Sequence, residues 1–217
     1  MTAILQVTEK PTAQRYFTPE EYLALEEAAE YKSEYRDGVI IPMTGGTTNH
    51  NQIGGNIYIA LSLGLKKQDY RVFFGDVRLW MPKKRIYTYP DVMVIPGKPE
   101  YFNNRQDTVM NPQVIIEVLS KSTKAYDRSD KFKFYQTIPT FQEYILIDQS
   151  QVYVEQYCKL ANKRWSYRQY DEEDAALVFS FFQVEVPLAD VYEKVDFEAE
   201  NEPEHEPEHE SEESEGE

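Results

Sequence analysis

The period of the apolar positions changes several times along the chain, and each change marks an element. In "FTPEEYLALEEAAE", Thr18 stands where an N-cap belongs, Pro19 fills the first helical position and Glu21 follows three residues after the cap. That is a capping box, and a short helix is expected from about Pro19 to Glu30. "SEYRDGVIIPMTGG" reads as two short strands joined through Asp37-Gly38, a hairpin turn signal. In "TTNHNQIGGNIYIALSLGLKK", Ile53, Ile57, Ala60, Leu61 and Leu65 recur at helical spacing, so an amphipathic helix is expected despite its glycines.

Three β-like segments follow: "YRVFFGDVRLWMP", "YTYPDVMVIPG" and "PQVIIEVLSK". The last is apolar at nearly every position before its acid, as a strand covered on both faces should be. Ser122, Thr123 and Asp127 supply helix-start chemistry, and "DRSDKFKFYQTI" predicts a helix ended by Pro139. The alternation in "KFKFY" also fits a strand, but a helix puts Asp127, Lys131 and Tyr135 on one face at i, i+4 and i+8. "FQEYILIDQS", "QVYVEQYCK" and "KRWSYRQYD" read as strands, and "ALVFSFFQVEVPLADVYEKV" as a strand followed by a short turn of helix. The expected fold class is α/β or α+β, with one central mixed sheet flanked by helices.

Composition alters this picture mainly at the ends. The 217 residues are 41% hydrophobic and 14% aromatic, enough for one sizeable core. The formal charge of −15 argues against a nucleic-acid partner until its placement is considered. Residues 198–217 hold eleven Glu and no Lys or Arg, so the rest of the chain carries only −4. The division expected is an N-terminal arm over 1–14, a folded domain over 15–197 and a disordered Glu/Pro/His tail over 198–217. His205 and His209 in that tail stand four apart and could bind metal weakly, although a solubilising, self-repelling tail is the commoner use of such composition. The lone Cys158, the lack of a signal-like N-terminus and the lack of a spanning apolar run lead to the expectation of a cytoplasmic protein without a membrane partner.

Two acids stand out against their apolar surroundings. Asp91 heads one strand-like segment and Glu117 closes another, and an isolated charge buried in a strand is costly. A strand-end acid taken alone is more often a solvated turn residue. If the two strands pair, however, both carboxylates reach one edge of the sheet, and they repel unless a cation such as Mg²⁺ joins them.

The ordered stretches "SEYRDGVII", "TTNH", "YPDVMVI", "IIEVLSKST", "YDRSDKFKFY" and "FQEYILID" resemble the cyanobacterial "putative restriction endonuclease" family, a branch of the PD-(D/E)XK nuclease superfamily, over roughly residues 15–195. The resemblance implies a restriction-endonuclease-like core, DNA phosphodiester hydrolysis, and Mg²⁺ (with Mn²⁺ as substitute) held by Asp91 and Glu117. The superfamily pattern places a lysine two positions after the second acid, where this chain has Leu119. Lys131 matches the lysine that this branch carries on the following helix, and Lys121 is the second candidate. By the same resemblance Glu34 holds a metal-bound water or a second ion, and Asp127 orients Lys131. Without the resemblance, Glu34 reads as a solvent-facing strand residue and Asp127 as a helix cap. His50 could meet phosphate near a helix N-terminus or be structural, Tyr135 reads as core packing, and Asp76 could face the same cleft or pair with a neighbouring Arg.

Lys121, Lys124, Arg128, Lys131 and Lys133 are expected around that site, with further basic clusters at Lys66-Lys67 and Lys83-Lys84-Arg85. No helix-turn-helix or zinc module is present for base readout, and no organic cofactor is implied. Cutting both strands of a duplex needs two sites, so a homodimer is expected. The rival reading is a catalytically inactive nucleic-acid or protein binding module that keeps the nuclease fold. The two separate on whether a lysine reaches the acids.

Overall fold

The structure, a computed structural model, describes residues 15–198. The N-terminal arm, and with it the acidic tail beyond Glu198 including His205 and His209, lie outside the described residues. Helix α1 (Pro19–Ala28) starts as its capping box requires: the Thr18 hydroxyl accepts from the Glu21 N–H, and the Glu21 carboxylate accepts from the Thr18 N–H. It ends two residues earlier than expected, at Ala28.

Strands β1 (Ser33–Arg36) and β2 (Val39–Pro42) pair in register Arg36↔Val39, leaving Asp37-Gly38 as a two-residue turn. Both turn residues have positive φ, 42° and 104°, the backbone twist that suits the twist of the flanking strands. A side chain at Gly38 would also meet the Tyr16 ring.

Helix α2 (Thr48–Gly64) buries Ile53, Ile57 and Leu61, the expected stripe. The next two stretches divide in a way that local pattern did not show. "YRVFFGDVRLWMP" breaks at Gly75, φ 69°, into β3 (Tyr70–Phe74) and β4 (Arg78–Met81), and these join different sheets. "YTYPDVMVIPG" likewise splits: β5 (Ile86–Thr88) pairs with β1 and β4, whereas β6 (Val92–Pro96) pairs with β3. Pro90 lacks the N–H a sheet ladder would use, and the chain changes sheets across Tyr89, Pro90 and Asp91.

The remaining strands are β7 (Thr108–Val109), β8 (Val114–Leu119), β9 (Glu143–Asp148), β10 (Val154–Ala161), β11 (Arg164–Tyr170), β12 (Ala176–Val178) and β13 (Glu185–Pro187). The fold is α+β with a mixed sheet as expected, the six-stranded β11-β10-β9-β8-β6-β3; what was not expected, among the described residues, is a second, five-stranded sheet, β2-β1-β5-β4-β7, and the small pair β12-β13. The larger sheet is mixed, with β8 and β9 parallel and its other pairs antiparallel.

The larger sheet is covered on both faces, which explains its apolar runs. Val92, Val94, Val114, Ile116 and Val118 pack with α2 on one face. Met93, Ile95, Ile115, Leu119, Tyr144 and Leu146 pack on the other with Leu79, Met81 and Ile86 of the five-stranded sheet. A third cluster of Tyr22, Leu23, Tyr35, Trp80 and Tyr87 seals α1 onto the five-stranded sheet. Each fully buried aliphatic side chain contributes about 1.5–3 kcal/mol by leaving water, so the two faces of β8 hold it firmly. No helix among the described residues is long and apolar enough to cross a membrane.

One buried acid lies away from the β6/β8 acids. Glu143, at the start of β9, is fully buried and accepts from Gln156 Nε2 at 2.5 Å and the Ser180 N–H at 3.2 Å. Burial pushes its carboxyl up to about 7, against hydrogen bonds from Gln156, Ser180 and Cys158 that favour the charged form. The folded state therefore keeps a proton that the unfolded chain, with an ordinary value of 4.5, releases. This group's effect is a loss of stability as pH rises from about 4.5 to 7, complete above that window. In urea unfolding, Glu143→Gln should gain roughly 2–3 kcal/mol relative to the parent chain between about pH 5 and pH 8. A constant difference across that range would show that Glu143 does not titrate with folding.

Candidate active site

Strands β6 and β8 pair antiparallel with Val92 opposite Ile116. One step further along that register sets Asp91 opposite Glu117, and facing residues of an antiparallel pair share a face. The Asp91 Oδ2 atom accepts the Val118 N–H at 2.7 Å, tying the head of β6 to the backbone of β8. Asp91 Oδ1 lies 3.0 Å from His50 Nε2, at the start of α2. Glu117 lies inside β8, not at its end as expected, with Val118 and Leu119 still to follow.

Glu117 is 3% exposed and sits on the β8 face that also carries Ile115 and Leu119. Its Oε1 accepts from the Tyr135 hydroxyl at 2.5 Å and lies 2.9 Å from Lys131 Nζ. Tyr135 therefore does both things: its ring packs in the core, and its hydroxyl holds the acid. Lys131 is also 3.2 Å from Asp127 Oδ1, one helical turn earlier.

Asp127 and Lys131 belong to a continuous helical stretch formed by Lys124–Tyr126, Asp127–Lys131 and Phe132–Tyr135, whose middle segment is π-wound. A π turn widens the helix locally and is frequent at functional sites. Asp127 does not cap a helix start; its own N–H bonds the Thr123 carbonyl, and its buried carboxylate turns inward beside Lys131. The inward stripe of Asp127, Lys131 and Tyr135 is thus the one expected, while Arg128 and Lys133 point elsewhere, pairing with Glu155 and Asp130. Of the basic residues expected around the site, Lys121 and Lys131 line the cleft.

Glu34 enters from β1 of the other sheet. It is buried; Oε1 accepts from the Thr88 hydroxyl, and Oε2 accepts from Arg36 Nε at 3.1 Å and Nη2 at 2.5 Å. Asp76 does not face this cleft; it lines a separate small cavity and pairs with Lys32, not with an Arg.

Glu34, His50, Asp91, Glu117, Asp127 and Lys131 line a cleft of about 650 Å³. Its roof is the Met43–Thr48 segment and the start of α2, and its floor comes from Asp91, Glu117 and Lys131. Burial, with repulsion from Asp91 and Asp127, lifts the Glu117 carboxyl above the usual range despite the pull of Lys131. Burial works to lower Lys131, yet Glu117, Asp127 and Glu34 together keep its ammonium protonated well beyond the ordinary value. For Glu34, burial is outweighed by Lys131, Thr88 and Arg36, which hold it below the ordinary range. His50 is raised: burial opposes the charge, but Asp91 and Glu117 favour it.

Three carboxylates, Glu34, Asp127 and Glu117, thus share Lys131 and Arg36, and Asp91 stands beside Glu117 with His50 as its partner; a hard cation would relieve the repulsion between Asp91 and Glu117. Among the described residues no three His, Cys, Asp or Glu side chains are gathered as a metal cage. Two carboxylates open to a cleft suit Mg²⁺, which keeps several waters and binds through one or two carboxylates plus substrate phosphate. Asp91 and Glu117 fit that description, since each carboxylate offers about four lone-pair sites and the bonds named above use only some.

Sequence reasoning overlooked Arg36, Thr88 and Tyr126. Arg36 and Tyr126 line the cleft, and the Arg36 guanidinium lies 3.8 Å from the Tyr126 ring centroid. The available signal was the Glu34-x-Arg36 spacing, which in a strand puts both side chains on one face.

Residues 19–189 match the model of the Uma2 family, whose description is "Putative restriction endonuclease". The chain is 42% identical over 170 residues to the uncharacterized protein sll1609 of Synechocystis sp., covering 78% of this chain and 96% of that protein. It is 34% identical over 159 residues to the uncharacterized protein slr1290 of the same organism, covering 72% and 82% respectively. Its fold is similar to the crystal structure of a "putative nuclease belonging to DUF820" from Anabaena variabilis, with a TM-score of 0.65 and 22% identity, covering 81% of this chain and 97% of the other.

The buried pair makes a stability prediction. Lys131→Met leaves Glu117 without its cation and should cost about 3–5 kcal/mol in urea unfolding, whereas Glu117→Gln combined with Lys131→Met should cost less than the two single changes summed. Additive losses would mean that the two side chains are energetically independent.

Proposed function

The chain belongs to the Uma2 family, and from that membership we propose that it is a metal-dependent endonuclease that hydrolyses DNA phosphodiester bonds at the cleft floored by Asp91 and Glu117. The observation that carries the reading is Lys131 Nζ at 2.9 Å from Glu117 Oε1, on the strand next to Asp91. Leu119 stands where the PD-(D/E)XK pattern has its lysine, and on this reading the part of that lysine falls to Lys131 of the neighbouring helix, whose ammonium meets Glu117.

Asp91 and Glu117 would hold Mg²⁺ or Mn²⁺, which when bound supplies Lewis acidity toward a phosphoryl oxygen and lowers the pKa of water. The protein groups fix where that chemistry happens. Asp91 is oriented through both oxygens, by the Val118 N–H and by His50 Nε2. Glu117 is oriented by the Tyr135 hydroxyl, leaving little rotational freedom to its carboxylate. Lys131 keeps its proton on Nζ and places a fixed positive charge where negative charge grows on the phosphoryl group in the transition state. Asp127 also holds that ammonium, at 3.2 Å. Burial makes each of these interactions stronger than the same contact in water.

Lys121 lies at the exposed rim of the cleft, so its role is contact with the nucleic-acid backbone. A second copy of the chain would supply the second cut of a duplex. The decisive assay offers plasmid and single-stranded DNA with Mg²⁺ or Mn²⁺, against chelator and Asp91→Ala. Cleavage should require the metal and fall at least about 100-fold in the variant. Cleavage that survives both controls would remove the mechanism. Binding without cleavage on every substrate would put the inactive binding module in its place.

A further inference from the structure

Resting on that reading, we propose that Arg36 binds a backbone phosphate of the nucleic-acid strand in the cleft, with Glu34 and Tyr126 as the residues that position it. The two ends of the Arg36–Glu34 ion pair differ in exposure. The Arg36 side chain is 30% exposed and that of Glu34 is 8% exposed, so the acid is sunk in the fold while the guanidinium stands at the wall of the cleft. Glu34 is on β1 two residues before Arg36, and strand alternation turns both side chains to the same face.

Arg36 is held from two directions. Its Nε and Nη2 donate to the same oxygen, Glu34 Oε2. One face of its plane lies over the Tyr126 ring, centroid distance 3.8 Å. Tyr126 itself comes from the helical stretch that carries Asp127 and Lys131, so the guanidinium is referenced to the same element as the proposed catalytic lysine. Fixing a long, flexible side chain in this way removes most of the entropy loss that ligand binding would otherwise impose.

The charge distribution leaves Arg36 able to attract an anion. Glu34 is not a private counterion: it also accepts from Thr88 and lies in the field of the Lys131 ammonium. One carboxylate therefore faces two cations. Arginine carries five N–H donors in a planar fork, and the two contacts to Glu34 leave the Nη1 donors of this cleft-lining residue for a ligand. That fork matches a phosphate with two donors at once, which a lysine does not reproduce. The scissile phosphate belongs at the Asp91/Glu117 floor, so Arg36 takes a neighbouring phosphate and sets the strand's register across the metal ligands.

The test is binding of a fluorescently labelled single-stranded oligonucleotide to the full chain, by anisotropy over a range of salt, with Ca²⁺ in place of Mg²⁺. Arg36→Gln should weaken binding and reduce the slope of log affinity against log salt by about 0.7, the value for one single-strand phosphate contact. Arg36→Lys keeps the charge and loses the fork, so it should keep the slope and still bind several-fold more weakly. Glu34→Gln should weaken binding too, but added to Arg36→Gln it should cost nothing further. Mn²⁺ affinity of Arg36→Gln, by calorimetry, should match the parent chain. An unchanged salt slope in Arg36→Gln, in a protein that melts as the parent does, overturns the proposal and leaves Arg36 as an ion-pair partner of Glu34. No nucleic-acid binding by the parent chain would overturn the nuclease reading and this inference with it.

Discussion

Everything in the site follows from one physical problem, a carboxylate inside a strand that is covered on both faces. Glu117 is 3% exposed, and an unpaired charge buried there would be intolerable. Lys131 and Tyr135 answer it from a single helix by pairing with the same oxygen. The helix is in turn obliged to keep Asp127, Lys131 and Tyr135 on its inner face, and its π-wound segment lies between the first and second of them. A buried ion pair of this kind adds little to stability against an apolar replacement. Its effect is geometric: it fixes the Glu117 carboxyl beside Asp91.

The two sheets matter because the site is built at their junction. Asp91 lies where the chain leaves the five-stranded sheet at Thr88 and enters the six-stranded one at Val92. Glu34 and Arg36 reach the cleft from the first sheet, Glu117 from the second, and Lys131 from the helix packed beside them. No pair of these elements alone makes the cleft. Its floor is rigid because β8 is anchored on both faces, and its walls come from shorter, more exposed pieces.

The capping box, the Asp37-Gly38 turn, the α2 stripe and the inward helix face were legible in the sequence because each depends on residues within a few positions of one another. The split of "YRVFFGDVRLWMP" and "YTYPDVMVIPG" between two sheets was not, because a sheet change leaves the local alternation of apolar residues intact. Arg128 and Lys133 show the same limit from another side. Their charges read as part of one basic group, yet helical rotation sends them away from the cleft and toward Glu155 and Asp130.

The sequence by itself determined which residues were out of place: Asp91 and Glu117 as acids in apolar runs, and Lys131 as a cation one helical turn from Asp127 and from Tyr135. Those are statements about local period, and period is carried by the chain alone. Only the tertiary structure decided that β6 and β8 pair so as to set the acids opposite each other, and that Lys131 bridges Glu117 and Asp127. It also decided that Arg36 stands at the cleft wall between Glu34 and Tyr126. Distances across elements depend on how separate surfaces bury one another, and no stretch of sequence holds that information in isolation.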